Sequence, residues 1–352
     1  RNGQSEVIVP VDAKALQREI GRFLEQISQR GEIDASALAL YDKLARPLDD
    51  AAQKEKVTRL LLWLDGPLRY VPFGALKSSN GFLADRYAIE ALARLVPSAP
   101  RSTPATGSGS IIPVSTSSIT AGPDAGLSVR GLGVTQAVAG YDALPGMADE
   151  LCYIVHGPIA GLTTASAACP RAAMGNGALA GEGFADAAFT ASRLQDLLHP
   201  PHAYSVLHVG THFSLRPGNA MRSFLVLGDG SRLMLDTLAT YDFSGLELVT
   251  LSACQTAMGG ARTDDGREIE GLSAIVQQRG AKQVVASLWR VEDSSTAQLM
   301  RSMYQELAVH PTDVATALQQ AQKFVRTLVR NGRQPYAHPY YWAGFVVSGT
   351  EP

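Results

Sequence analysis

Two residues in this chain could together make a nucleophile at neutral pH: the imidazole of His212 and the thiol of Cys254. Each stands just past an apolar run, YSVLHVGT and LELVTLSA. An imidazole beside a thiol accepts its proton, and the resulting imidazolium lowers the thiol pKa and later protonates a leaving amine. A cysteine at the end of an apolar strand is more often an inert core residue. Cys254, however, is followed by Gln255, Thr256, Met258, Gly259 and Gly260, the composition of a loop opening at a strand end. The two residues are distant in the chain, so only neighbouring strands of one sheet could unite them. In an open α/β sheet, catalytic groups gather beyond the carboxyl ends of parallel strands.

The elements needed for this are legible. VRGLGVT, YSVLHVG, LELVTLSA and KQVVASLW alternate with amphipathic segments, which predicts an α/β fold with a largely parallel, helix-covered sheet. The runs are apolar on both faces, as strands buried on both sides should be. RLLLWL at 59–64 predicts a further strand, ended by Asp65-Gly66-Pro67, and SFLVLGDGSRLML predicts a hairpin turning at Asp229-Gly230. Helices are expected over 12–27, with Leu16, Ile20, Leu24 and Ile27 facing a sheet, and over 294–307, with Leu299, Met303 and Leu307 inward. A third is expected over 313–329, with Ala317, Ala321, Phe324 and Leu328 in register. Residues 97–126 read as a low-complexity insertion and 160–183 as an Ala/Gly-rich loop. Within that loop, Gly175 to Ala180 formally fits a dinucleotide fingerprint, but no convincing strand precedes it. The division expected is an N-terminal strand and helix segment, 1–56, packing on one domain at 57–349.

Composition narrows the function. With 45% hydrophobic and 18% charged residues, 352 residues supply an ample core. A formal net charge of -2 speaks against nucleic acid as a partner. The three cysteines, Cys152, Cys169 and Cys254, are odd in number and lack C-x-x-C spacing. Neither a disulfide framework nor a zinc knuckle is suggested, and reduced thiols in a cytoplasm are expected. The apolar run around Leu60 to Leu64 falls far short of the ~20 residues that cross a bilayer. No secretory signal pattern opens at Arg1, so no membrane partner is expected. His208 and His212 make H-x-x-x-H, but Val209 stands where a zinc peptidase carries Glu. On a strand the two would be ~13 Å apart, so no metal is expected.

LSACQTAMGG, EIEGLSAIVQQRGAKQVVASLWRVED and HPYYWAGFVVSG together resemble the CHAT domain, a group of caspase-like cysteine peptidases related to separase. WLDGPLRYVPFGAL resembles the family's opening strand and turn, HVGTHF its histidine motif and SFLVLGDG its hairpin. The resemblance runs from Val57 to Gly349 and implies a caspase-hemoglobinase three-layer α/β sandwich. It implies Cys254 as nucleophile, His212 as general base, and an oxyanion hole from the N–H groups of Phe213 and Cys254, with no cofactor. The family usually has Gly after the histidine. Phe213 is therefore expected to narrow the pocket or hold an inactive loop. Asp293 matches the acid that in separase receives a basic P1 side chain; Asp293-Ser294-Ser295 also reads as a helix N-cap. Asp264, Asp265, Glu268 and Glu270 read as a solvated acidic loop or as an aid to recognising a basic substrate. His338 and Trp342 read as packing residues. The function implied is an endopeptidase that cleaves a protein or peptide substrate after a basic residue. Members of the family are joined to helical repeats or other regulatory protein modules and serve regulated proteolysis, including prokaryotic defence. A latent caspase-like scaffold is the second reading.

Overall fold

The computed structural model describes residues 12–92, 126–163, 168–169, 173–214, 222–252, 267–289 and 292–349. The elements begin with α1 (Ala13–Ser28), α2 (Asp34–Leu40), α3 (Arg46–Glu55), β1 (Arg59–Leu62), β2 (Lys77–Ser78), β3 (Gly81–Phe82) and β4 (Ala88–Leu92). The middle of the chain forms β5 (Ser128–Gly133), α4 (Pro145–Ile154), β6 (Val155–Ala160), β7 (Met174–Asn176), β8 (Leu179–Ala185), α5 (Ala191–Leu197), β9 (Val206–Gly210) and β10 (Phe213–Ser214). The remainder forms β11 (Phe224–Val226), β12 (Arg232–Met234), α6 (Leu235–Leu238), β13 (Leu248–Leu251), α7 (Arg267–Gln278), β14 (Gln283–Ser287), α8 (Asp293–Val309), α9 (Val314–Thr327) and β15 (Phe345–Gly349).

Ten strands form one sheet in the order β1-β4-β15-β14-β13-β9-β5-β8-β6-β7, and every neighbouring pair is parallel except β14–β15 and β6–β7. One core, built around α4, α8 and α9, includes Leu151, Met300, Met303 and Ala321. A second, under α5, α6 and α7, includes Leu194, Leu235, Val276 and, from the small sheet β10-β11-β12, Phe213, Leu225 and Leu233. The result is the expected helix–sheet–helix sandwich with a largely parallel sheet. The hairpin turns where expected: Gly230, at φ +83, follows Asp229 between β11 and β12.

Several expectations are corrected. α1 buries Ile20, Phe23 and Ile27, and its main neighbours are α2 and the turns 66–70 and 339–341 rather than a sheet. On α9 the inward stripe is Ala317, Leu318, Ala321 and Val325, while Phe324 is 38% exposed. Residues 160–183 are not simply a loop, because β7 and part of β8 lie within them. These strands are hidden by glycine: a Cβ at Gly181 would meet the Val129 carbonyl at 2.0 Å, and one at Gly175 the Val155 carbonyl at 2.2 Å. Only Gly lets the backbones come that close. Gly175 and Gly177 therefore serve strand packing, not a strand-to-helix phosphate turn. Residues 97–125 of the expected insertion lie outside the described residues.

Cys152 and Cys169 are joined in a disulfide, with Cα atoms 5.6 Å apart, both side chains fully buried. This overturns the expectation of reduced thiols and removes the argument for a cytoplasm that rested on it. No spacing rule connects a cysteine inside α4 to one in an Ala-rich stretch. Among the described residues, no helix is long and apolar enough to cross a membrane.

Candidate active site

β9 and β13 are parallel neighbours, with Val209 beside Leu251, and the Ser252 N–H donates to the Val209 carbonyl at 2.8 Å. The chain therefore leaves the sheet at adjoining strand ends toward His212 on one strand and Cys254 on the other. Cys254 itself lies outside the described residues, two positions past Ser252. Asp264 and Asp265 lie outside them too, while Glu268 and Glu270 fall in the first turns of α7.

His212 is buried at 5% exposure, and its Nε2 lies 2.8 Å from the Asp142 carbonyl oxygen. A carbonyl can only accept, so Nε2 carries a proton, and exchange of a proton with a thiol would fall to Nδ1. The Tyr141 ring packs beside the imidazole, with centroids 5.0 Å apart and planes inclined by 32°. Neither Tyr141 nor Asp142 was flagged by the sequence. Their only local signal is the turn-forming Ala139-Gly140 pair, which adopts φ +51 and +82 between the bridged residues Val138 and Tyr141.

This loop is held at both ends. Asp186 accepts from the Thr135 N–H at 2.7 Å, the Thr135 hydroxyl at 2.6 Å and the Gln136 N–H at 3.1 Å. At the other end, Met147 in the first turn of α4 lies over two strand-end glycines. A Cβ at Gly133 would stand 2.8 Å from the Met147 Cγ, and one at Gly210 only 1.8 Å from its sulfur. Gly210→Ala is accordingly expected to push α4 off the strand ends, lowering stability by about 1–3 kcal/mol and reducing activity. Urea melts and peptide turnover check this. Adding Met147→Ala should recover part of both losses, and no recovery would show that the crowding lies elsewhere.

One of the two expectations for Phe213 is corrected. Its side chain is 2% exposed and belongs to the second core with Leu225 and Leu233, so it does not narrow a pocket. The His212 carbonyl accepts from the Val226 N–H at 2.9 Å, which makes 212 and 226 a hydrogen-bonded pair. In an antiparallel ladder the next pair, Phe213 with Leu225, is then a non-bonded one, and the Phe213 N–H is directed away from β11.

Asp293 is the first residue of α8 and half-buried. The N-cap role falls instead to Glu292, whose carboxylate accepts from the Ser295 N–H at 2.8 Å. A Cβ on Gly146 would meet the Asp293 Cβ at 2.6 Å, so Asp293 abuts the start of α4, four residues beyond the carbonyl that holds His212. His208 is fully buried on β9, away from any solvent-facing site. His338 accepts from the Tyr340 N–H at 3.2 Å, and Trp342, 1% exposed, donates to the Ala337 carbonyl at 3.1 Å; both are packing residues as read.

No curated protein shows significant similarity to the chain. Among solved structures, an Arg-specific cysteine proteinase, gingipain R (RgpB), is similar with TM-score 0.45 and 11% identity, over 98% of this chain and 79% of the other. A complex of the Porphyromonas gingivalis RgpB pro- and mature domains is similar with TM-score 0.45 and 12% identity, over 97% and 77%. The CHAT domain matches residues 34–350, so the chain is a member of the CHAT domain family.

Proposed function

We propose that the chain is a caspase-like cysteine endopeptidase in which Cys254 attacks and His212 moves the proton. The observation that carries this reading is the 2.8 Å contact between His212 Nε2 and the Asp142 carbonyl, which leaves Nδ1 as the base at the strand end adjoining the one that leads to Cys254. The thiol gives its proton to Nδ1 and the thiolate adds to the scissile carbonyl carbon. The oxyanion is received by the N–H groups of Phe213 and Cys254. Collapse breaks the C–N bond as the imidazolium protonates the leaving amine, giving a thioester. Water, deprotonated by His212, then releases the acid and regenerates the thiol.

Asp293 is the proposed receptor for a basic P1 side chain, supported by its place beside the start of α4. Gating by a regulatory protein or a helical-repeat module, in regulated proteolysis such as prokaryotic defence, belongs to the same proposal and is supported by family membership. The part of the latent-scaffold argument that rested on Phe213 narrowing the pocket loses its basis, because that side chain is in the core.

A positional-scanning peptide library tests the reading. The wild type should cleave after Arg or Lys, and Asp293→Ala should lose about 30-fold or more in kcat/KM for those residues, as truncation of a buried charge pair does. Cleavage with an unchanged P1 profile in Asp293→Ala would remove that residue from the site. Cleavage that persists in Cys254→Ala would remove the whole assignment.

A further inference from the structure

Beneath the site lies a chain of buried polar groups that the proposed chemistry does not use. Glu150 on α4, His208 on β9, Thr250 on β13 and Tyr304 on α8 are exposed by 3%, 0%, 0% and 0%. The Tyr304 hydroxyl is 2.9 Å from the Thr250 Oγ1 and 3.1 Å from the His208 Nδ1. On the other edge of the imidazole, Nε2 is 2.9 Å from the Glu150 Oε1, close but out of line for a hydrogen bond. Burial holds the Tyr304 hydroxyl far above the ordinary tyrosine range, so it stays neutral. A bare ring nitrogen and a bare carboxylate would repel at that separation. The contact is attractive only with a proton on one of them, which makes Glu150 and His208 a proton-bearing pair in the interior.

The placement of this pair gives it a role. His208 and Gly210 are alternate positions of β9 and His212 stands two residues past its end, and α4 with the loop before it meets each in turn. Glu150 meets His208, Met147 lies over Gly210, and the Asp142 carbonyl meets His212. The first two contacts fix the register of α4 along β9, and the third inherits it. Of the three, only the Glu150–His208 contact joins two ionisable side chains, and it is also the deepest. Losing it frees the helix to slide, which changes the one contact that orients the His212 ring.

We propose that Glu150 and His208 form a positioning pair, which sets the register of α4 on β9 and thereby the orientation and tautomer of His212. The inference rests on the peptidase reading for its catalytic consequence, but its structural content can be read without turnover.

The test uses the full chain as wild type, Glu150→Gln, His208→Gln and the apolar double variant Glu150→Met/His208→Leu. Each is followed by three measurements: thermal melting, kcat and KM on the best library peptide, and the ¹⁵N spectrum of ring-labelled histidine. The single variants should lower kcat about 10- to 100-fold, the usual penalty of a misplaced catalytic group, with KM within about twofold. The His212 signal should lose its single Nε2–H form. The apolar double variant should regain the melting temperature, as such replacements often do, but neither kcat nor the tautomer. Recovery of all three would reduce the pair to packing and overturn the proposal, as would single variants with unaltered kcat and tautomer. An inactive wild type whose His212 tautomer still depends on Glu150 would sink the peptidase reading and leave the positioning pair standing. Inactivity together with a tautomer indifferent to Glu150 would end both.

Discussion

Replacing His212 with alanine is expected to lower kcat/KM by about 10³-fold or more, in the upper part of the 10²- to 10⁴-fold range of acid–base assistance because the same group also generates the thiolate. The structure makes this a test of one nitrogen. With Nε2 committed to the Asp142 carbonyl, only Nδ1 can accept the thiol proton. The disulfide sharpens the measurement: Cys152 and Cys169 are paired, so Cys254 is the single remaining thiol, and alkylation reports on it alone. Iodoacetamide should modify the wild type readily at neutral pH. It should modify the variant slowly until the pH nears about 8.5, where an isolated thiol ionises. Identical pH profiles in the two proteins would mean that the imidazole does not activate the thiol, and the dyad would fall.

The second large effect lies far from the site. Asp49, 1% exposed, accepts from the Tyr41 hydroxyl at 2.5 Å, the Tyr87 hydroxyl at 2.6 Å and the Gln53 amide at 2.9 Å, and pairs with the Arg86 guanidinium at 2.5 Å. Burial alone would raise its pKa, but hydrogen bonds from Tyr41, Tyr87, Gln53 and Arg86 outweigh it and bring the group down to about 2. Because the folded value lies below the unfolded one of about 3.9, the stabilisation is fully present above that pH. It is lost as pH falls through about 2. Tyr41 and Tyr87 are pushed the other way, to about 12, by burial first and by the adjoining carboxylate second. Their contribution is therefore complete below pH about 10 and fades as pH rises through about 12.

Asp49→Ala strands Arg86, whose Nε and Nη1 already lack a partner among the described residues, together with two phenol hydroxyls. The expected loss is about 3–5 kcal/mol, that of a broken buried pair, and urea melts at neutral pH measure it. The difference from wild type should shrink steadily as the melts are repeated toward pH 2. A loss under about 1 kcal/mol at neutral pH would place Asp49 among ordinary surface charges.

The sequence was most readable where side chains carry the signal. β9, β13 and β14 are buried on both faces, and the Asp229-Gly230 hairpin and the inward Leu299, Met303 and Leu307 of α8 follow from period and turn chemistry. It was least readable where backbone does the work. β7 and β8 pack through Gly175 and Gly181, residues that leave no apolar period to detect. α2 and α3 are joined by a π turn, Tyr41–Ala45, which shifts the helical phase in mid-run and hides the stripe, and Pro47 follows directly. At the site, His212 and Cys254 stand out because their side chains are chemically distinctive. The partner of His212 does not, because Asp142 contributes its main chain.

That last feature has an evolutionary corollary. A group supplied by the peptide backbone is carried by all twenty amino acids, so selection acting on the histidine's partner would be invisible at position 142 and would appear instead in whatever preserves the path of the chain there. Across relatives, column 142 should drift freely, while the Ala139-Gly140 turn, Gly146 and Gly210 stay small. The third member of this constellation would be inherited as a shape rather than as a letter.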